Sequence, residues 1–222
     1  MEKIRNPEHL YDKLDQDFAW RRKELTFINK NIKSTKEHNR QTHLRSGIML
    51  LYAHWEGFIK NAAENYLKFV ATKGLKYIEL NNCFIALALR EKLDQFETSS
   101  KASVHTQIID FMFGELSQGA RIPFENIIKT QSKLTSERLK EILITIGIDY
   151  SPYELKNKFI DAKLLQIRNA VAHGQRITID EEDFADLYKE ITSIIENIKT
   201  DILNAAVLES YKRQRQDETD TF

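Results

Sequence analysis

Very little in this sequence breaks a helix. Its 222 residues hold three prolines and seven glycines. With so few turn formers beside abundant Leu, Ile, Lys and Glu, the expectation is long helices. Cysteine occurs once, at Cys83. That excludes an internal disulfide and a multi-cysteine zinc site, and a reducing cytoplasm is the simplest expected compartment. An excess of one charge is missing too: 33 basic residues balance 33 acidic ones. A chain of zero net charge lacks the overall signature of nucleic-acid binding, so any RNA or DNA site must be a local patch, or two patches joined in an oligomer. No apolar run is long enough to span a bilayer, and "MEKIRNPEHLYDK" lacks the apolar segment of a signal peptide. There is no Gly-rich phosphate loop, no internal repeat and no low-complexity linker. His9, His38, His43 and His105 have no spacing that supports a metal site, so neither metal nor cofactor is expected.

What the chain does contain is helical periodicity. Apolar content of 41% suffices for a sizeable core. Leu10, Leu14, Phe18, Leu25 and Ile28 mark a first helix from about His9 to Lys36, after which "KSTKEHNRQTH" either interrupts or continues it. Leu44, Ile48, Leu51, Trp55, Phe58, Ile59, Ala62, Tyr66 and Phe69 line one face of a second, which ends near Gly74. The middle third suggests shorter helices in "NCFIALALREKLDQF", "VHTQIIDFMFGEL", "PFENIIKT" and "SERLKEILITIGI". In "DYSPYELKNKF", Ser151, Pro152 and Glu154 fit N-cap, N1 and N3 of a helix that Gly174 closes. "QRITI" reads as an extended link. Asp180 then caps a last helix with a stripe of Phe184, Leu187, Ile191, Ile194, Ile195, Ile198 and Ile202. The expected organisation is one all-α domain over 1–222. Core helices lie at about 9–73 and 152–205, a helical insertion at about 80–148, and a frayed charged tail at 209–222.

The stretch "LLQIRNAVAHGQRI" raises the functional question. At about 100° per residue, Ile160, Leu164, Ile167 and Val171 share one face. Ala162, Gln166, Asn169 and His173 share the opposite one, flanked by Leu165 and Ala172. A helix apolar nearly all round is covered on both sides, so the second face is free for a second protomer. Arg168 lies about 140° round the helix from His173. The bland reading is a cationic helix end favoured by the dipole. The chemical reading is RNA cleavage: histidine titrates near neutrality and can move the 2′-OH or leaving-group proton, while arginine grips phosphate with two hydrogen bonds and stabilises a pentacoordinate transition state. Asn169 would orient the histidine or bind phosphate, and no metal is needed.

Arg and His at this spacing arise about once by chance in a chain with 12 Arg and 6 His, so spacing alone decides nothing. The added Asn and the terminal glycine make "RNAVAHG" more specific. It resembles the Arg-x4–6-His motif of the HEPN superfamily, in the form with Asn after Arg. "LLYAHWEGFIKNAAENYL" resembles the early helix of its MAE_28990/MAE_18760-like group. The resemblance covers about 44–72 and 152–205, and the middle third matches nothing.

The resemblance implies an all-α, HEPN-like bundle with extra helices in the middle third. It also implies a metal-independent endoribonuclease of toxin or phage-defence type, working as a homodimer. Arg168 and His173 would be catalytic and Asn169 supportive. Glu56 is a supporting candidate that reaches toward the cleft, or else part of an ordinary salt bridge. Lys163 and Arg176 are candidates for guiding RNA, or else a solvated edge. RNA, a second copy and an antitoxin or neighbouring defence protein are the expected partners, with no membrane. The alternative is a non-catalytic HEPN module that dimerises or holds a partner protein.

Overall fold

A computed structural model of the chain describes residues 3–98, 100–130 and 133–214. Its helices run α1 (Pro7–Ser34), α2 (Glu37–Ala71), α3 (Asn82–Thr98), α4 (Ala102–Asp110), α5 (Ser136–Thr145), α6 (Gln166–Ala172) and α7 (Glu181–Val207). Among the described residues there is no strand, only isolated bridges at Lys76–Gly119 and Leu80–Lys212. The all-α expectation holds.

α1 starts where Asn6 Oδ1 accepts the His9 N–H at 2.8 Å, with Pro7 in the first turn. Asparagine satisfies an orphan donor and proline supplies a helical φ at no hydrogen-bond cost. Its Leu10, Leu14, Phe18, Leu25 and Ile32 are all buried. The polar stretch after α1 does both things expected of it: Thr35 and Lys36 are extended, and helix resumes at Glu37. α1 and α2 then lie antiparallel, as the Thr72 hydroxyl bonded to the Ile4 carbonyl shows at one end. At the other end, Gly47 lets α7 approach. A Cβ there would sit 2.7 Å from Phe184 Cε2 and 3.0 Å from Ile32 Cδ1. The α7 stripe is buried along its whole length. Asp180 occupies the N-cap position, but its side chain makes no cap hydrogen bond. Instead Gln41 brackets Ile179 through both N–H and carbonyl, and Arg40 pairs with Glu181 at 2.7 Å.

One polar cluster lies within this bundle. Arg21 Nε binds Asp17 at 3.0 Å and its guanidinium covers Trp20. Its Nη1 reaches the buried His54 at 3.5 Å, where a Gly57 side chain would collide with it. His54 Nε2 lies 2.9 Å from the Glu24 carboxylate, outside hydrogen-bond alignment.

Several expectations are corrected. "PFENIIKT" is not helical: Asn126 takes a left-handed φ of 56°, and Ile122 and Ile128 are buried from irregular backbone. Ser151 is not an N-cap. Its N–H and hydroxyl bind Asp149, and Ser151–Lys156 form a 3-10 segment rather than α-helix. Tyr153 holds that segment to α7 through its hydroxyl, donated to Asp201. The tail is docked further than residue 209. Tyr211 is buried edge-on to Phe69, its carbonyl accepts from Asn81 N–H, and Arg213 N–H donates to the Glu79 carbonyl. The rest of the expected frayed tail, residues 215–222, lies outside the described residues.

Candidate active site

The motif lies on a helix whose pitch changes. A π-helical segment, Phe159–Leu165, leads into α6. At its end Leu164 and Leu165 are both buried although they are adjacent. This segment and α6 pack on α2. The closing glycine behaves as expected: Gly174 has φ +71°, its N–H donates to the Val171 carbonyl, and Gln175 N–H donates to the Ala170 carbonyl. That pair of bonds is a Schellman motif, and it fixes His173 as the last residue before the left-handed turn.

Arg168 and His173 differ in environment. Arg168 is half-buried, with its guanidinium carbon 4.6 Å from the centre of the Tyr52 ring. Nη1 donates to Asn169 Oδ1 at 3.0 Å, and Nε is buried with no hydrogen-bond partner. His173 is exposed. Asn169 therefore orients the arginine through its side chain. Its backbone carbonyl also accepts the His173 N–H at 2.9 Å.

Tyr52 is a residue that sequence reasoning missed. It is buried on α2, and its hydroxyl accepts the Leu134 N–H at 2.7 Å. Burial, and secondarily Glu56, push the phenol up to about 12, against the Leu134 hydrogen bond and the positive charge of Arg168. Glu56 lies one helical turn on from Tyr52 along α2, near enough to raise its pKa. The signal was present in the four-residue spacing of Tyr52 and Glu56, which puts them on one helix face.

Of the two RNA-guiding candidates, Lys163 lies 3.8 Å from Asp183, with both side chains about half exposed. Arg176 is exposed and lines a groove of about 810 Å³ beside the motif's end. Met49, Leu50, Ala53 and Val171 give that groove an apolar floor, and no carboxylate lines it. Arg45 is its second cation, tied to the Ile177 carbonyl at 3.1 Å.

On the second face, Ala162, Gln166, Ala172 and His173 are exposed and Asn169 is half-buried. Among the described residues nothing covers these four exposed side chains, although Leu165 beside them is buried. Among the described residues no cluster of three or more His, Cys, Asp or Glu could hold a metal ion. Nor is any described helix long and apolar enough to cross a membrane.

The family model for RiboL-PSP-HEPN matches residues 16–204. No curated protein and no solved structure matches the chain. The matched span includes α1 from residue 16 on, all of α2, the motif helix and nearly all of α7. The chain therefore belongs to the RiboL-PSP-HEPN family, and with it to the HEPN superfamily that the Arg168–His173 motif suggested. The match does not bear on the narrower MAE-like likeness of α2.

Proposed function

We propose that this member of the RiboL-PSP-HEPN family is a metal-independent endoribonuclease of toxin or phage-defence type, active as a homodimer. Family membership points to a nuclease or RNA-related role. The observation that carries the finer reading is the division of labour between the two motif side chains. Arg168 is held half-buried on Tyr52 and Asn169, as a fixed phosphate ligand should be. His173 is exposed at the helix end, free to exchange protons.

On a regular helix about 140° separates the two, an angle that disfavours their meeting within one chain. A two-fold axis through the uncovered face brings the Arg168 and His173 of both copies to one cleft. In that cleft, one histidine takes the 2′-OH proton and another returns a proton to the leaving 5′ oxygen. The arginines hold the phosphate. The products carry a 2′,3′-cyclic phosphate and a 5′-hydroxyl. Unpaired or looped RNA is the substrate, since stacked duplex resists the in-line geometry. Arg176 and the acid-free groove beside Gly174 receive the flanking strand, with Lys163 in a lesser role because Asp183 partly neutralises it.

The test is incubation of purified protein with total RNA in EDTA, beside His173→Ala and Arg168→Ala, followed by end-group analysis. Loss of the histidine is expected to slow cleavage by about 10²–10⁴-fold. Equal cleavage by all three proteins would sink the assignment. Expression should slow growth, and His173→Ala should relieve it. An antitoxin or neighbouring defence protein would then act by restraining this site.

A second reading, a non-catalytic module that holds a partner protein, is favoured by the exposed Trp20 and Phe27 beside a groove of about 1380 Å³ along α1. It predicts no RNA cleavage, and a partner whose capture survives both motif substitutions.

A further inference from the structure

We propose that Tyr52 is a positioning residue for Arg168, and that the buried Leu134–Tyr52 hydrogen bond lets the middle third set the pose of the motif arginine. The functional part rests on the ribonuclease reading; the geometric part does not.

Three observations converge. First, the guanidinium of Arg168 lies over the Tyr52 ring at 4.6 Å, while its Nε has no hydrogen-bond partner and no access to water. A buried N–H without a partner is costly, so the orientation must be stabilised by other contacts. The ring face and the Nη1 bond to Asn169 are the two that hold it. Second, the ring cannot pivot freely. Its hydroxyl is held by the Leu134 N–H in a fully buried position, and Leu134 is itself wholly buried. Third, the same strap grips the motif helix from the other side. Two residues after Leu134, the N–H and hydroxyl of Ser136 both donate to Asp161, in the π segment that leads into α6. Thr135 between them caps α5. Leu134–Ser136 thus spans from Tyr52 to the helix that carries Arg168, and fixes both halves of the cation–ring contact. A phenylalanine would fill the same volume, but it would leave the Leu134 N–H buried and unpaired.

This predicts a separation of effects that a purely structural tyrosine would not give. Tyr52→Leu removes the ring face and is expected to lower kcat roughly 10- to 100-fold through misplacement of Arg168, with KM nearly unchanged. Tyr52→Phe keeps the ring face but frees it from Leu134, so it should recover only part of that loss. In an Arg168→Ala background, Tyr52→Leu should cost almost nothing more, because the two act as one unit. Wild-type kcat in Tyr52→Leu, or a double variant in which the two losses multiply, would overturn the proposal.

A second measurement stands apart from activity. In a ¹H–¹⁵N spectrum of the full chain, the Arg168 Nε–H resonance, assigned by its disappearance in Arg168→Ala, should lie upfield from the ring current of Tyr52. It should also exchange slowly with water. An unshifted, rapidly exchanging resonance in the wild-type protein overturns the positioning role, even if Tyr52→Leu fails to fold. Absence of RNA cleavage by the wild type with the shift present would instead remove the ribonuclease reading and leave the contact standing.

Discussion

The bundle of α1, α2 and α7 and the motif stretch Ser151–Ala172 are built from similar residues but obey different rules. In the bundle the pitch is α-helical throughout, and apolar residues three and four apart sink together into the core. In the motif stretch the backbone passes from 3-10 to π to α-helix. Its packing is set by side-chain anchors instead of repeating bonds: Tyr153 to Asp201, Lys156 to Glu190, Asp161 to Ser136, Arg168 to Tyr52 and Asn169. A regular helix spreads its stability along the stripe. An irregular one concentrates it at a few contacts, and those contacts can place a functional side chain where regular pitch would not.

The largest expected effect tests the bundle side. Ile195 is fully buried in the middle of α7, and Ile195→Ala should cost about 2–5 kcal/mol from lost transfer energy plus the cavity. Val171, half-buried near the end of α6, should cost clearly less when cut to alanine. Urea unfolding of both variants decides the matter. Equal losses would mean that the motif helix is as deeply integrated as the bundle, and the contrast would fail.

The same contrast explains what could be read in advance. The α7 stripe, the α1 stripe and the Trp55 face of α2 were legible because burial follows one period. Gly174 was legible because a left-handed closure needs glycine. The Ser151 cap was misread, because Asp149 competes for the Ser151 donors and Tyr153 is anchored to α7, which tightens the first turn to 3-10. Leu165 was expected to flank the second face, but it is buried. Within the site, Arg168, Asn169 and His173 announce themselves by local pattern. The Tyr52–Leu134 bond does not, because 82 residues separate its partners and no local spacing encodes it.

A smaller effect sharpens the comparison at the motif's end. Gly174 has open space where a Cβ would go, so Gly174→Ala meets no clash, and its cost is the left-handed backbone alone. That is about 1–2 kcal/mol. In the bundle, Gly47→Ala fails for the opposite reason: its φ is ordinary, but Phe184 and Ile32 occupy the space. Overpacking there should cost about 1–3 kcal/mol. Shortening the obstructing side chain separates the two. Phe184→Leu should reduce the added cost of Gly47→Ala in a double-mutant cycle, and should leave the cost of Gly174→Ala unchanged. Additivity at Gly47 would show that the close approach is not what excludes the methyl group.

The smallest effect probes the Arg21–His54 polar cluster of the bundle. Burial, and then the Arg21 guanidinium, lower the affinity of His54 for a proton; Glu24 and Asp17 oppose them less strongly. With the folded value below the ordinary one of about 6.5, the unfolded chain binds more protons between the two. Stability contributed by neutral His54 is therefore complete above that ordinary value and declines as pH falls toward the folded one. Denaturation midpoints at pH 7.5 and pH 5, for the wild type beside His54→Gln, give the measurement. The wild type should lose more than the variant on acidification, since the carboxylates common to both titrate alike. A smaller loss in the wild type than in the variant would place the His54 proton in the Glu24 ion pair, at 2.9 Å, with the attraction of the carboxylates outweighing burial. In that case the cluster would stabilise the bundle as a charged network, not as a histidine kept neutral beside Arg21.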